Sequence, residues 1–107
     1  MDPRYGKFWR LFNAEKFFEA HEVLEALWRE TQGRDRDFYQ GLIQIAAAYV
    51  HVQKGTLKGG RELLKKASEK LERYKPVFLG LEVRDFLKQA ALVVESKADF
   101  PKIRVKS

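Results

Sequence analysis

The stretch Asp37-Phe38-Tyr39-Gln40-Gly41-Leu42-Ile43-Gln44-Ile45-Ala46-Ala47-Ala48-Tyr49-Val50-His51-Val52-Gln53-Lys54 decides the fold. Between its two ends it holds no charged side chain, over a length that makes roughly four turns of helix. A helix without a charged face is surrounded by protein. The spacing therefore predicts the central helix of a bundle, over about Asp35 to Lys54. It carries two apolar faces, Phe38, Leu42, Ile45, Tyr49 and Val52 on one side and Tyr39, Ile43 and Val50 on the other. Gly41 costs such a helix about 1 kcal/mol relative to alanine, which points to a neighbouring helix that needs the close approach.

Outward from this helix the chain reads as further helices, with no credible strand before the last few residues. Pro3 opens a first helix to about Phe12, at a position where its missing N–H costs nothing, with Phe8, Trp9 and Phe12 as its stripe. Asn13 is the expected N-cap of a second helix running to about Thr31, and Gly33 its expected C-terminal stop. Gly55 closes the central helix, and Thr56 is expected to cap a fourth, about Leu57 to Tyr74. There Leu57, Leu64, Ala67, Leu71 and Tyr74 line one side. Glu62–Lys66, Lys65–Glu69 and Glu69–Arg73 support the wet side, at about 0.2–0.5 kcal/mol each. Pro76 and Gly80 bracket a turn before a fifth helix, about Glu82 to Ser96, with Val83, Phe86, Leu87, Ala90 and Val94 on one face. The tail Phe100 to Lys106 alternates apolar and basic residues, which suits either a short extended segment against the bundle or a frayed end. The expectation is a single all-α domain of about five helices spanning residues 1–107, with the third helix most buried.

Composition narrows the function classes. At 107 residues, 45% hydrophobic and 34% charged, the chain has the size of one domain. It contains no cysteine, which excludes disulfide scaffolds, thiolate metal sites and thiol catalysis. No apolar run approaches the roughly 20 residues of a membrane span, and Met1-Asp2-Pro3-Arg4 lacks the profile of a secretory signal. A soluble, cytoplasmic protein is expected, with no membrane partner. Residues 1–55 are charge-balanced, whereas residues 56–107 hold 13 basic against 7 acidic residues and so all of the +6 excess. Such a half suits an acidic or nucleic-acid partner, or simply a well-solvated surface.

The second helix holds the first candidates. Phe17, Ala20, Leu24, Leu27 and Trp28 form its apolar arc at 100° per residue, and His21 falls inside that arc with Glu25 on its flank. Four residues apart, the two side chains share one face, one turn apart in height. The central helix answers with Gln40, Gln44 and His51 in one line, Ala47 filling the gap. The simplest assembly packs the two polar stripes together as a buried His/Glu/Gln/Trp cluster. An ionised Glu25 in it would need a partner, since stranding a buried charge costs roughly 3–5 kcal/mol.

Phe17-Phe18-Glu19-Ala20-His21-Glu22-Val23-Leu24-Glu25-Ala26-Leu27-Trp28, followed by Tyr39-Gln40-Gly41-Leu42-Ile43-Gln44-Ile45-Ala46-Ala47-Ala48, resembles the family called domain of unknown function 309. That family is marked by a His-x-x-x-Glu-x-x-Trp pattern, which His21, Glu25 and Trp28 match in full. The resemblance covers about residues 5–80. It implies a small all-helical fold and no particular activity.

Several readings of the six residues stand side by side. One is a satisfied polar network that fixes helix register. Another is a ligand pocket, with Trp28 and Tyr39 or Tyr49 as walls and the polar stripe as floor. Together these make a non-catalytic ligand-binding or scaffold module, the expectation adopted for function, with no cofactor. A metal-dependent hydrolase is the alternative, His21 and Glu25 gripping one divalent ion from one helix with His51 as third ligand and water in the open position. A metal-free variant would use Glu25 as general base with His21 as its partner. A nucleic-acid role would use Lys58, Arg61, Lys65, Lys75, Lys102, Arg104 and Lys106 along phosphates. A second copy of the chain also stays open as a partner.

Overall fold

A computed structural model describes residues 1–96 and 98–106. Lys97 and Ser107, which the expected 1–107 span includes, lie outside the described residues. Five α-helices follow one another: α1 Pro3–Asn13, α2 Phe17–Glu30, α3 Arg34–Lys54, α4 Leu57–Leu71 and α5 Val83–Ser96. The protein is an all-α bundle, as expected, and α3 is its central helix, packing against α2, α4 and α5. No helix among the described residues is long and apolar enough to cross a membrane.

The core is the set of faces that the periodicity marks. From α2 it takes Phe17, Ala20, Leu24 and Leu27; from α3 Phe38, Tyr39, Leu42, Ile43, Ile45 and Tyr49, all buried. Helix α1 adds Phe8, Trp9 and Phe12 together with Tyr5, whose hydroxyl donates to the Leu79 carbonyl at 2.9 Å. The rings stack edge to face and tilted across α1, α3 and α5, as in Trp9–Phe86 at 5.5 Å and Phe12–Tyr49 at 5.3 Å. Such pairs add about 0.5–1.5 kcal/mol each beyond their burial.

Helix ends depart from expectation where side chains find better partners. The start of α1 is as expected, with Pro3 in the first turn; Asp2 is its cap, whose carboxylate accepts from the Arg4 backbone N–H at 2.9 Å. The Arg4 guanidinium on the same carboxylate holds it down at about 2. Asn13 ends α1 instead of capping α2. Its amide clamps the tail, donating to the Ile103 carbonyl at 2.8 Å and accepting from the Ile103 N–H at 2.7 Å. Lys16 then sits at the α2 N-cap without a side-chain bond, and Thr31 takes the C-cap that was expected near Gly33. Gly33, at φ +81, instead precedes α3 as its N-cap residue. Gly55 closes α3 in the left-handed region, as the sequence predicts.

The fourth helix stops at Leu71, three residues early, and tightens into a 3₁₀ turn over Glu72–Tyr74. Tyr74 is still buried, its hydroxyl donating to the Arg34 carbonyl at 2.7 Å. Where only a turn was expected, Val77–Phe78 (β1) and Leu81–Glu82 (β2) form a two-residue antiparallel hairpin, with Val77 opposite Glu82 and Phe78 opposite Leu81. Of the two forms open for the tail, the extended one is found: Phe100 packs on Phe17 and Tyr49, and the Lys106 N–H donates to the Gly80 carbonyl at 2.9 Å. A Cβ on Gly80 would overlap the Lys106 carbonyl, so the turn and tail fit only with glycine there.

Candidate functional site

Helix α2 carries His21, Glu25 and Trp28 in ascending turns, and each finds a different environment. The His21 ring stacks on Phe18 at 5.9 Å and 24°. Its Nε2 lies 3.5 Å from a Glu25 carboxylate oxygen, an ion-pair distance longer than a hydrogen bond. Its Nδ1 is buried and has no partner. Glu25 is held chiefly from the other side, accepting from Arg29 at 2.8 Å, and about a third of its side chain is exposed. Trp28 carries the Arg36 guanidinium over its ring at 4.1 Å. The same guanidinium donates to the Trp28 and Thr31 carbonyls at 3.0 Å each. It thereby adds a second bond to the Trp28 carbonyl, which already accepts from the Thr31 N–H at 3.1 Å, and satisfies the Thr31 carbonyl at the helix end. The tryptophan of the motif thus joins the end of α2 to the start of α3.

Along α3, the line Gln40, Gln44, His51 runs on the side between its two neighbours, and that line divides. Gln40 and Gln44 line a groove of about 310 Å³ with Asp37 and with Lys66, Glu69, Lys70 and Arg73 of α4. His51 lines a separate groove of about 170 Å³ with His21, Phe18, Ala47, Val50 and Lys54. His51 Nδ1 stands 2.7 Å from the Thr56 hydroxyl, and its ring covers Gly59, where a Cβ would lie 2.7 Å from it. Thr56 makes no side-chain cap to α4, because its hydroxyl serves His51 instead.

Of the six residues, then, the structure brings His21 and His51 to one groove, pairs Gln40 with Gln44 in another, and keeps Glu25 and Trp28 on their own local partners. The expected buried cluster is corrected on one further point: all six side chains are half-buried, and no polar side chain among the described residues is fully buried. The reason is the way the helices run. Helix α2 lies antiparallel to α3, so Phe18 and His21 face the end of α3 while Trp28 faces its beginning. Helix α4 runs along the whole polar line, its later turns beside Gln40 and Gln44 and its first turn under the His51 ring at Gly59, while Phe18 and His21 of α2 meet His51 from the other side. Tyr39 and Tyr49 are not pocket walls; they are buried against Tyr5 and Phe12 of α1. Nor do His21, Glu25 and His51 form one ligand set: among the described residues no three His, Asp or Glu side chains are grouped so as to hold a metal ion.

The basic residues of the second half are dispersed. Arg61 pairs with Glu95 at 3.4 Å and Lys75 with Glu72 at 2.8 Å. Arg73 turns to Asp37 at 3.6 Å, not to Glu69. Lys102 reaches the Asn13 carbonyl. Sequence reasoning missed Phe18, Val50, Lys54 and Arg36 as members of these sites. Phe18 had a legible signal, an aromatic ring off the apolar arc of its helix and 56% exposed in the fold. Arg36 had none, since its use depends on where α2 ends.

Comparison with known proteins places this geometry. No curated protein matches the chain in sequence. A conserved hypothetical protein from Thermus thermophilus, known from its crystal structure, is 33% identical, covering 89% of this chain and 99% of its own at a TM-score of 0.77. The family described as Domain of unknown function (DUF309) matches residues 5–63. That span holds all but the first two residues of α1, the whole of α2 and α3 and all six residues, and it ends inside α4. On the family match and this likeness together, the chain belongs to the Domain of unknown function (DUF309) family.

Proposed function

We propose that this chain is a non-catalytic binding module whose contact site is the groove between the start of α2 and the end of α3. One observation carries the reading. Phe18 stands exposed over the groove, stacked on His21, whose buried Nδ1 has no hydrogen-bond partner. A buried polar atom left without a partner costs about 1–3 kcal/mol, and an exposed aromatic ring keeps apolar surface in water. An occupant seated on Ala47 and Val50 takes the Phe18 ring out of water, and a polar group on it would be the partner His21 lacks. The groove has an apolar floor with a few polar groups at its rim, the usual character of a small binding site.

The test is a titration of the ¹⁵N-labelled chain with acetyl-phenylalanine amide, followed by amide chemical shifts. Shifts gathered at Phe18, His21, Val50 and His51 are expected, and Ala47→Leu, which fills the floor, should remove them. Shifts scattered over the surface, or unchanged by Ala47→Leu, would reject the groove as the site.

A further inference from the structure

The charge around this groove narrows what it takes, on the footing that the groove is the binding site. Its lining holds the Lys54 ammonium and two imidazoles, and no carboxylate. The Glu25 carboxylate beside His21 is already bonded to Arg29 at 2.8 Å. The end of α3 does not offset this with free acceptors at His51 and Val52. Their carbonyls are taken by the Thr56 and Gly55 N–H groups at 2.9 and 3.2 Å. Within the lining, an anionic group near Lys54 therefore meets an ammonium and no carboxylate.

Size and shape supply the rest. The groove, at about 170 Å³ and open to solvent, is of the size of one phenyl group laid on its floor. Phe18, more than half exposed at the rim, leaves ring surface free for an offset or edge-to-face contact with another aromatic ring. The groove is open, and a single seated side chain leaves the rest of an occupant outside. That suits a segment of a larger molecule anchored at one point, and it does not suit an enclosed metabolite.

We infer that the occupant is an acidic segment of a partner protein, in which an aromatic side chain seats on Ala47 and Val50 against Phe18 and a neighbouring carboxylate pairs with Lys54.

The test compares three capped peptides on the full-length chain by chemical-shift titration: acetyl-Asp-Phe-Asp-amide, acetyl-Lys-Phe-Lys-amide and acetyl-Asp-Gly-Asp-amide. The acidic aromatic peptide should bind at least about tenfold more tightly than either of the others, with its advantage over the basic one shrinking as salt is raised. Lys54 is exposed at the end of α3, so Lys54→Glu keeps the fold. It should reverse the order of the acidic and basic aromatic peptides while the shifts stay at the same residues. Equal binding of the acidic and basic peptides, or an order unchanged in Lys54→Glu, overturns this inference and leaves the groove as a binding site. Equal binding of the glycine peptide overturns the aromatic anchor. Groove shifts that grow with protein concentration in the absence of peptide make a second copy of the chain the occupant, and overturn the inference as well. If neither these peptides nor acetyl-phenylalanine amide shifts the groove, the binding-site reading itself fails.

Discussion

Helix α3 meets its two long neighbours in opposite ways. Toward α4 the contact is backbone-close: Leu71 lies over Gly41, where a Cβ would come within 2.6 Å of it, and the His51 ring lies over Gly59. Toward α2 the inner edge is packed by Phe17, Ala20, Leu24 and Leu27, while the outer edge stays open between Phe18, His21 and Val50. Glycine lets two helices approach until large side chains on each cover the other's backbone. Where both helices instead carry half-buried rings at the rim, the seam closes only on its inner side. The open seam is the one that holds both histidines and an exposed aromatic ring, so the contrast separates packing from surface left for a partner.

The largest test removes what both seams lean on. Leu42 and Ile45 are fully buried, and Leu42→Ala or Ile45→Ala should cost roughly 2–5 kcal/mol in denaturant unfolding. A loss below about 1 kcal/mol would mean that α3 is not the element on which the others pack.

Alkaline pH loads the aromatic packing behind both seams. Burial raises the phenols of Tyr5 and Tyr49 well above the usual tyrosine range. The unfolded chain releases these protons near pH 10 while the folded chain keeps them. Stability therefore holds below about pH 10 and falls as pH rises toward the raised values. The loss is about 1.4 kcal/mol per phenol per pH unit. Thermal unfolding followed from about pH 9 to 11 should show the decline, and Tyr49→Phe should make it shallower. A flat profile would place both phenols in solvent.

The closed seam is sharpened by two alanines. At Gly41 the new methyl meets buried Leu71, and overpacking at about 1–3 kcal/mol outweighs the gain of about 1 kcal/mol in helix propensity. A net loss near 1 kcal/mol is expected. At Gly6, inside α1, the methyl meets only the end of the Arg10 side chain at 3.5 Å. There alanine should stabilise by up to about 1 kcal/mol. Equal effects at the two positions would remove close approach as the reason for Gly41.

The smallest effect is expected at Glu25. Its side chain is partly exposed and bonded to Arg29 within the same helix, and exposed pairs of this kind contribute about 0–1 kcal/mol. Glu25→Gln should change unfolding free energy by no more than that. A loss above about 2 kcal/mol would mean that the carboxylate's contact with His21 bears on the fold and that the α2 seam is not the open one.

The helices and the core were legible because burial leaves a period in the sequence. The uncharged run from Phe38 to Gln53 marked α3 as central, the stripes of α1, α2, α4 and α5 named their buried faces, and Gly41 announced a close neighbour before any neighbour was known. The ends of helices were less legible. Asn13 and Thr56 are both good caps in isolation, yet Ile103 and His51 take their side chains, the first across 90 residues of chain.

The sequence by itself also singled out His21, Glu25, Gln40, Gln44 and His51 as polar side chains on or beside apolar faces, with Trp28 in line with the first two. Which of them meet was decided by the tertiary structure alone. Spacing fixes the angle of a residue about its own helix axis, but says nothing about how far a neighbour is turned or where along the helix it crosses. Because the later turns of α4 flank Gln40 and Gln44 while the start of α2 meets His51, the glutamines lie beside Lys66 and Arg73, and the histidines beside Phe18 and Lys54.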